Sequence, residues 1–145
     1  MVEVTVIERK LKDLDRYLQQ LSRYQGITGE ELRHDLEKAW AVEHGLQLCI
    51  QILLDVGNHL LSEKGVFVSD YKSIFFELAR LGVLPMDFAK RISGMAGFRN
   101  ILVHAYGEVD LEKVAQMLSE NLGDFRKFAE YLCTYLQEQE EDDEH

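Results

Sequence analysis

An all-helical, up-and-down bundle of about five helices is the fold this sequence predicts, and three observations carry the prediction. Apolar residues recur at steps of three and four along most of the chain, a single Pro stands among 145 residues, and no segment alternates apolar with polar residues as a half-buried strand does. A chain of this length has the size of one ordinary domain and can bury most of its apolar surface around one core. Its 46% hydrophobic and 29% charged residues fit a globular protein rather than a disordered or membrane one.

The first helix spans about residues 4–25, where Ile7, Leu11, Leu14, Leu18 and Leu21 form one stripe that Gly26 ends. The second begins near Thr28, since T-G-E-E offers an N-cap threonine with acids in the first turn, and runs to about residue 62, long enough to kink. Leu32, Leu36, Ala39, Trp40 and Val42 open its stripe. Leu46, Cys49, Ile50, Leu53, Leu54 and Val56 then widen it, so more than one neighbour must cover this helix. Ser69-Asp70 can cap a third helix carrying Tyr71, Ile74, Phe75, Leu78 and Leu81, stopped by Gly82 and Pro85. A fourth covers about residues 86–105. The fifth starts after Asp110 with Leu111, Val114, Leu118, Leu122, Phe125, Phe128, Leu132 and Leu136, and gives way to EQEEDDEH. The expected division is a helical domain over 1–137 and a solvated, disordered acidic tail over 138–145.

The net charge of -10 is partly local to that tail, which holds six of the 26 acids and no Lys or Arg; the rest balances 20 acids against 16 bases, or -4. A broad basic face is thereby excluded and duplex DNA is not an expected ligand, so any polyanion site must be a small basic spot. No apolar run approaches the roughly 18 to 20 residues that cross a bilayer. The opening MVEVTVIERK has acids where a secretory leader has bases, which places the protein in the cytoplasm with no membrane partner. Cys49 and Cys133, each within an apolar helical pattern, are expected as buried free thiols.

The stretch FRNILVHAYGEVD, residues 98–110, departs from a plain core pattern. At 100° per residue, Ile101, Leu102 and Ala105 fall within about 60° of Phe98 and make a core face. Asn100 and His104 are an i, i+4 pair on the opposite side, with Arg99 near enough to lean towards them. Val103 lies among these polar residues, so a second surface is expected to cover them, either another helix or a second copy of the chain. Tyr106-Gly107 should end the helix and leave the phenol at the cluster's edge. Histidine, with an unperturbed pKa of about 6.5, exchanges protons at neutral pH. Arginine supplies fixed charge in a fork suited to phosphate oxygens. RNA carries its own nucleophile, the 2′-hydroxyl, so His104 and Arg99 form a minimal kit for cleaving it without metal or cofactor. The same spacing also fits a surface arginine and a capping or half-buried histidine.

F-R-N-x-L-V-H-x-Y resembles the R-x-x-x-x-H-x-Y motif of the HEPN superfamily, specifically the HepT-like toxins of HEPN/MNT toxin-antitoxin pairs. AVEHGLQLCIQILLDVGNHLL resembles the long second helix of that family, YKSIFFELARLGVLP its third, and HAYGEVDLEKV the junction into its last. The resemblance implies a metal-independent endoribonuclease acting as a homodimer, its two motif helices facing across a cleft. Arg99 and His104 are then the catalytic pair, with Asn100 in a supporting polar position. The products are a 2′,3′-cyclic phosphate and a 5′-hydroxyl. Tyr106 matches the tyrosine that the partner MNT-type nucleotidyltransferase antitoxin modifies with AMP, silencing the toxin. The alternative is a non-catalytic module that binds a nucleotide or serves as docking partner and AMP acceptor for that nucleotidyltransferase.

Other signals have plainer readings. Glu31-x-x-His34 has the spacing used by di-iron bundles, but those sites need a second copy and more inward-facing Glu, so no metal site is expected. His44 and His59 are expected as satisfied polar residues near helix contacts, and Trp40, Tyr71, Phe75 and Phe76 as core. Lys64, Lys72, Arg80, Lys90 and Arg91 either border a nucleic-acid path or are scattered surface bases.

Overall fold

Helix termini in this chain are set by short polar side chains, and these explain where the elements fall. The computed structural model describes residues 4–103 and 109–143, without the side chains of Ile101, Val103 and Asp143. In chain order its helices are α1 Val4–Ser22, α2 Gly29–His34, α3 Leu36–Glu63, α4 Tyr71–Arg80, α5 Met86–Ile92, α6 Gly94–Val103, α7 Leu111–Glu120 and α8 Leu122–Asp143. Thr28 Oγ1 accepts the Glu31 N–H at 3.1 Å and Asp70 Oδ1 the Ser73 N–H at 2.8 Å, the caps that open α2 and α4. Beyond the ends of α1 and α4, Gly26 and Gly82 adopt φ of 89° and 82°, a conformation that glycine alone enters without steric cost.

Among the described residues the five expected helices become eight, because one residue interrupts each of three. Asp35 is extended (φ -135°, ψ 90°) between α2 and α3, and its carboxylate accepts the Lys38 N–H at 3.1 Å. Ser93 separates α5 from α6 and donates its hydroxyl to Lys90 O at 2.8 Å. Asn121 separates α7 from α8, and its amide donates to Asp124 Oδ2 at 3.2 Å. Small polar side chains that bond locally compete with helix continuation, which apolar periodicity does not register.

The long helix α3 is the axis of the core. It packs against α1, α2, α4, α6, α7 and α8, and Leu46, Cys49, Ile50, Leu53, Leu54, Val56 and Leu60 along it are buried. Each such side chain contributes about 1.5–3 kcal/mol when taken from water. At Gly57 the helices α3 and α4 come into direct contact, since a Cβ there would meet Ile74 Cγ2 at 2.6 Å and Leu78 Cδ1 at 3.2 Å. Phe75 and Phe128 join α4 to α8 edge to face, with centroids 6.2 Å apart. Arg91 ties α5 to α8 through a 2.6 Å ion pair with the largely buried Asp124.

Some expected core residues lie outside it. Leu36 and Trp40 are 58% and 61% exposed, and Tyr71 is 42% exposed. The break at Asp35 resets the phase of Leu36, and Trp40 stands about 160° round the α3 wheel from buried Val42. Phe75 is buried and Phe76 half-buried, as expected. Both cysteines are free, but Cys133 is exposed where burial was expected, because it lies on the outer side of α8. The acidic segment expected as a disordered end continues α8 as far as Asp143, with Glu138, Glu140 and Glu141 in solvent. Among the described residues, no helix is long and apolar enough to cross a membrane.

Candidate functional site

The motif helix α6 is pinned by Met95, Ala96 and Phe98, all buried, and by half-buried Leu102. Phe98 and Leu102 therefore make the core face the wheel predicts. The next residue after Phe98 is Arg99, half-buried, followed by Asn100, which is exposed. Arg99 Nε donates to Gln51 Oε1 on α3 at 3.2 Å, and its guanidinium carbon stands 5.0 Å from the centroid of the Tyr71 ring at the start of α4. Two elements thus fix the direction of one long side chain. That bond uses Nε, whereas the fork formed by the two Nη groups is the part suited to phosphate oxygens.

Gln51 is itself held. Its Nε2 donates to Asp55 Oδ1 at 2.8 Å, and Asp55 Oδ2 faces Lys10 Nζ on α1 at 3.7 Å. The amide passes the preference of the carboxylate along: its nitrogen must face Asp55, so its oxygen faces the guanidinium.

Beside this arrangement, α3, α4 and α6 enclose a cleft of about 1030 Å³, whose walls include Gln51, Asn58, Tyr71, Lys72, Gly97 and Asn100. Asp70, also on its wall, is held below the usual carboxylate range, first by the N–H of Ser73 that it caps.

Of the four expected site residues, Asn100 lines the cleft and Arg99 contacts two of its wall residues, Gln51 and Tyr71; His104 and Tyr106 lie outside the described residues. Glu31 is engaged with its own N-cap, where its carboxylate accepts from Thr28 Oγ1 at 3.3 Å. Among the described residues, no group of three or more His, Cys, Asp or Glu is placed to hold a metal ion. His44 is exposed. His59 corrects the expectation of a satisfied side chain: its Nε2 is buried and has no hydrogen-bond partner among the described residues, with Glu63 Oε1 3.9 Å away. Of the five bases considered, Lys72 lines the cleft, while Arg80, Arg91 and Lys64 contact Glu77, Asp124 and Gln139.

Sequence reasoning missed Gln51, Asp55 and Asn58, and assigned Tyr71 to the core. A signal for the first three existed. Gln47, Gln51, Asp55 and Asn58 recur at steps of four, four and three, a polar stripe on an otherwise apolar helix.

The family model for ribonuclease HepT-like proteins matches residues 8–132 of this chain. The tRNA nuclease HepT of Aphanizomenon flos-aquae is 29% identical over 145 residues, covering 99% of this chain and 98% of that protein. The mRNA nuclease HepT of Shewanella oneidensis is 24% identical over 128 residues, or 88% of this chain and 96% of its own length. Among solved structures, the tri-AMPylated Shewanella oneidensis HEPN toxin, in complex with MNT antitoxin, superposes with a TM-score of 0.79 at 24% identity, covering 89% of this chain and 97% of that one. The cytosolic protein YutE of Bacillus subtilis, of unknown function, gives 0.80 at 18% identity over 95% and 93%. At these identities the two structures establish a shared fold.

Proposed function

Because this chain belongs to the ribonuclease HepT-like family, we propose that it is the endoribonuclease toxin of a HEPN/MNT toxin-antitoxin pair, acting on RNA in the cytoplasm without a metal. The observation that carries the reading is the held guanidinium of Arg99, fixed by Gln51 and Tyr71, two residues that line a cleft. A surface arginine without function needs no such support from two other helices.

The reaction is attack of a ribose 2′-oxygen on the adjacent phosphorus. The O2′–P bond forms, the P–O5′ bond breaks, and the products are a 2′,3′-cyclic phosphate and a 5′-hydroxyl. His104 takes the 2′-hydroxyl proton or supplies the proton that O5′ needs. A homodimer brings two copies of His104 to one cleft, so that one imidazole can accept while the other donates. Arg99 stabilises charge on the non-bridging phosphate oxygens as the phosphorane develops. Asn100 supports the phosphate as a polar neighbour. Two Arg99 side chains in one cleft also make a local positive spot on an acidic body. Tyr106 is the acceptor for AMP from a nucleotidyltransferase antitoxin, and the bulky anion excludes RNA from the site.

The test is cleavage of a mixed RNA substrate in EDTA by wild type and His104→Ala, with end-group analysis. Cutting that leaves cyclic phosphates and disappears in the folded variant is expected. Equal cutting by His104→Ala removes the mechanism. Absence of cutting by wild type whose Tyr106 is unmodified by mass spectrometry leaves a non-catalytic partner of the nucleotidyltransferase.

A further inference from the structure

We propose that the cleft between α3, α4 and α6 is a nucleobase subsite, which receives the base next to the phosphate held at Arg99; the inference rests on the ribonuclease reading. Its volume of about 1030 Å³ lies just above the roughly 300–1,000 Å³ typical of small-ligand sites, enough for a nucleoside. The cleft is continuous with the candidate catalytic edge, because Gln51 and Asn100 belong to both.

The chemistry of the walls selects the neutral, flat part of a nucleotide. Asp55 is paired with Lys10 and Asp70 is balanced by Lys72, so the cleft walls carry no surplus positive charge with which to hold a second phosphate. Apolar surface comes from Leu54, Val68 and Ile74, and Tyr71 adds an aromatic ring on which a base can stack. The exposed amide of Asn58 offers a paired donor and acceptor, the pattern that reads a base edge. The α6 wall carries no side chains at Gly94 and Gly97, and among the described residues a Cβ at either would meet nothing within 4 Å. No contact within the described residues of one protomer therefore requires these glycines, which weaken the helix relative to alanine, and their effect is to keep the cleft wide.

That open space supplies the test. Gly97→Leu adds a side chain at a wall position whose Cβ has open space around it, and Asn58→Ala removes the amide without filling the cleft. Single-ribonucleotide chimeric oligonucleotides, with each of the four bases beside the only cleavable bond, give kcat/KM for wild type and both variants. Binding of the four nucleoside 3′-monophosphates is measured in parallel by calorimetry. Wild type is expected to prefer some bases over others by tenfold or more. Gly97→Leu should raise KM and weaken nucleotide binding at least tenfold, and Asn58→Ala should flatten the preference. Unchanged preference and nucleotide affinity in both variants overturns the subsite. So does a Gly97→Leu variant whose only change is its oligomeric state in sedimentation, because the cleft then belongs to a protein contact. If wild type binds the nucleotides in a Gly97-dependent way but cuts no RNA, the subsite stands and the ribonuclease reading falls. If it neither binds nor cuts, both fall.

Discussion

Replacing Gln51 by leucine tests whether Arg99 works as a held side chain or merely as a charge. The substitution removes the 3.2 Å bond from Arg99 Nε and the 2.8 Å bond to Asp55, while keeping the apolar part of the side chain on α3. A hydrogen bond to a charged group is worth roughly 1.5–3 kcal/mol, and the half-exposed position of this one argues for the lower end. The Tyr71 contact survives and retains about 0.5–1 kcal/mol of the orientation. A net loss of about 1.4 kcal/mol in the transition state is about a tenfold lower single-turnover rate. Stability falls as well: Asp55 keeps Lys10, but the loss of two part-buried bonds costs about 1–3 kcal/mol in urea unfolding. The decisive assay is a cycle with Arg99→Lys, whose flexible ammonium cannot make the same fork. If Gln51 acts through Arg99, the double variant is no slower than Arg99→Lys by more than about twofold. Multiplicative losses, or a wild-type rate in Gln51→Leu alone, refute the reasoning.

Other substitutions probe the packing, the thiol and the proposed AMP acceptor. Gly57→Ala puts a methyl where Ile74 stands 2.6 Å away, so it should lower stability by about 1–3 kcal/mol in urea; an unchanged midpoint would show that α4 can shift aside. Burial pushes the Cys49 thiol up to about 12 from 9.0, so the unfolded chain releases its proton first and native stability falls as pH rises above about 9. The slope attributable to this group is about 1.4 kcal/mol per pH unit, seen as the difference between wild type and Cys49→Ala; parallel curves would contradict it. Iodoacetamide on the native protein should label exposed Cys133 and spare Cys49, and intact-mass counting of two fast adducts would deny the burial. Tyr106→Phe should cut RNA near the wild-type rate yet take up no AMP from ATP and the partner nucleotidyltransferase, and an AMP adduct elsewhere on the chain would displace Tyr106 as acceptor.

Much of the bundle is legible from periodicity because most of its buried stripes follow one helical period: Ile7, Leu11, Leu14, Leu18 and Leu21 all lie inward on α1. The caps at Thr28 and Asp70 and the glycine stops at Gly26 and Gly82 are local chemistry and are equally readable. The breaks at Asp35, Ser93 and Asn121 are less so, because Asp, Ser and Asn also occur within helices and their local bonds are settled by what packs around them. The site divides in the same way. Arg99 and Asn100 stand out by residue type and spacing, whereas the role of Gln51 depends on α3 and α6 meeting, a contact between residues 48 positions apart. Tyr71 was assigned inward because it begins a run of apolar residues, yet it sits at N1 of α4, where an aromatic can face outward and carry a guanidinium.

The interruption at Ser93 makes α6 a separate ten-residue rod rather than the end of a twenty-residue helix. A short rod has few internal hydrogen bonds to lose, so it opens at lower free energy than the long α3 against which it rests. Amide hydrogen exchange should therefore report the motif helix as its own cooperative unit, exchanging ahead of the core, and common protection of α5 and α6 would show them opening as one. The segment that carries Arg99 can thus open and reclose on its own, and whatever binds it would hold it closed.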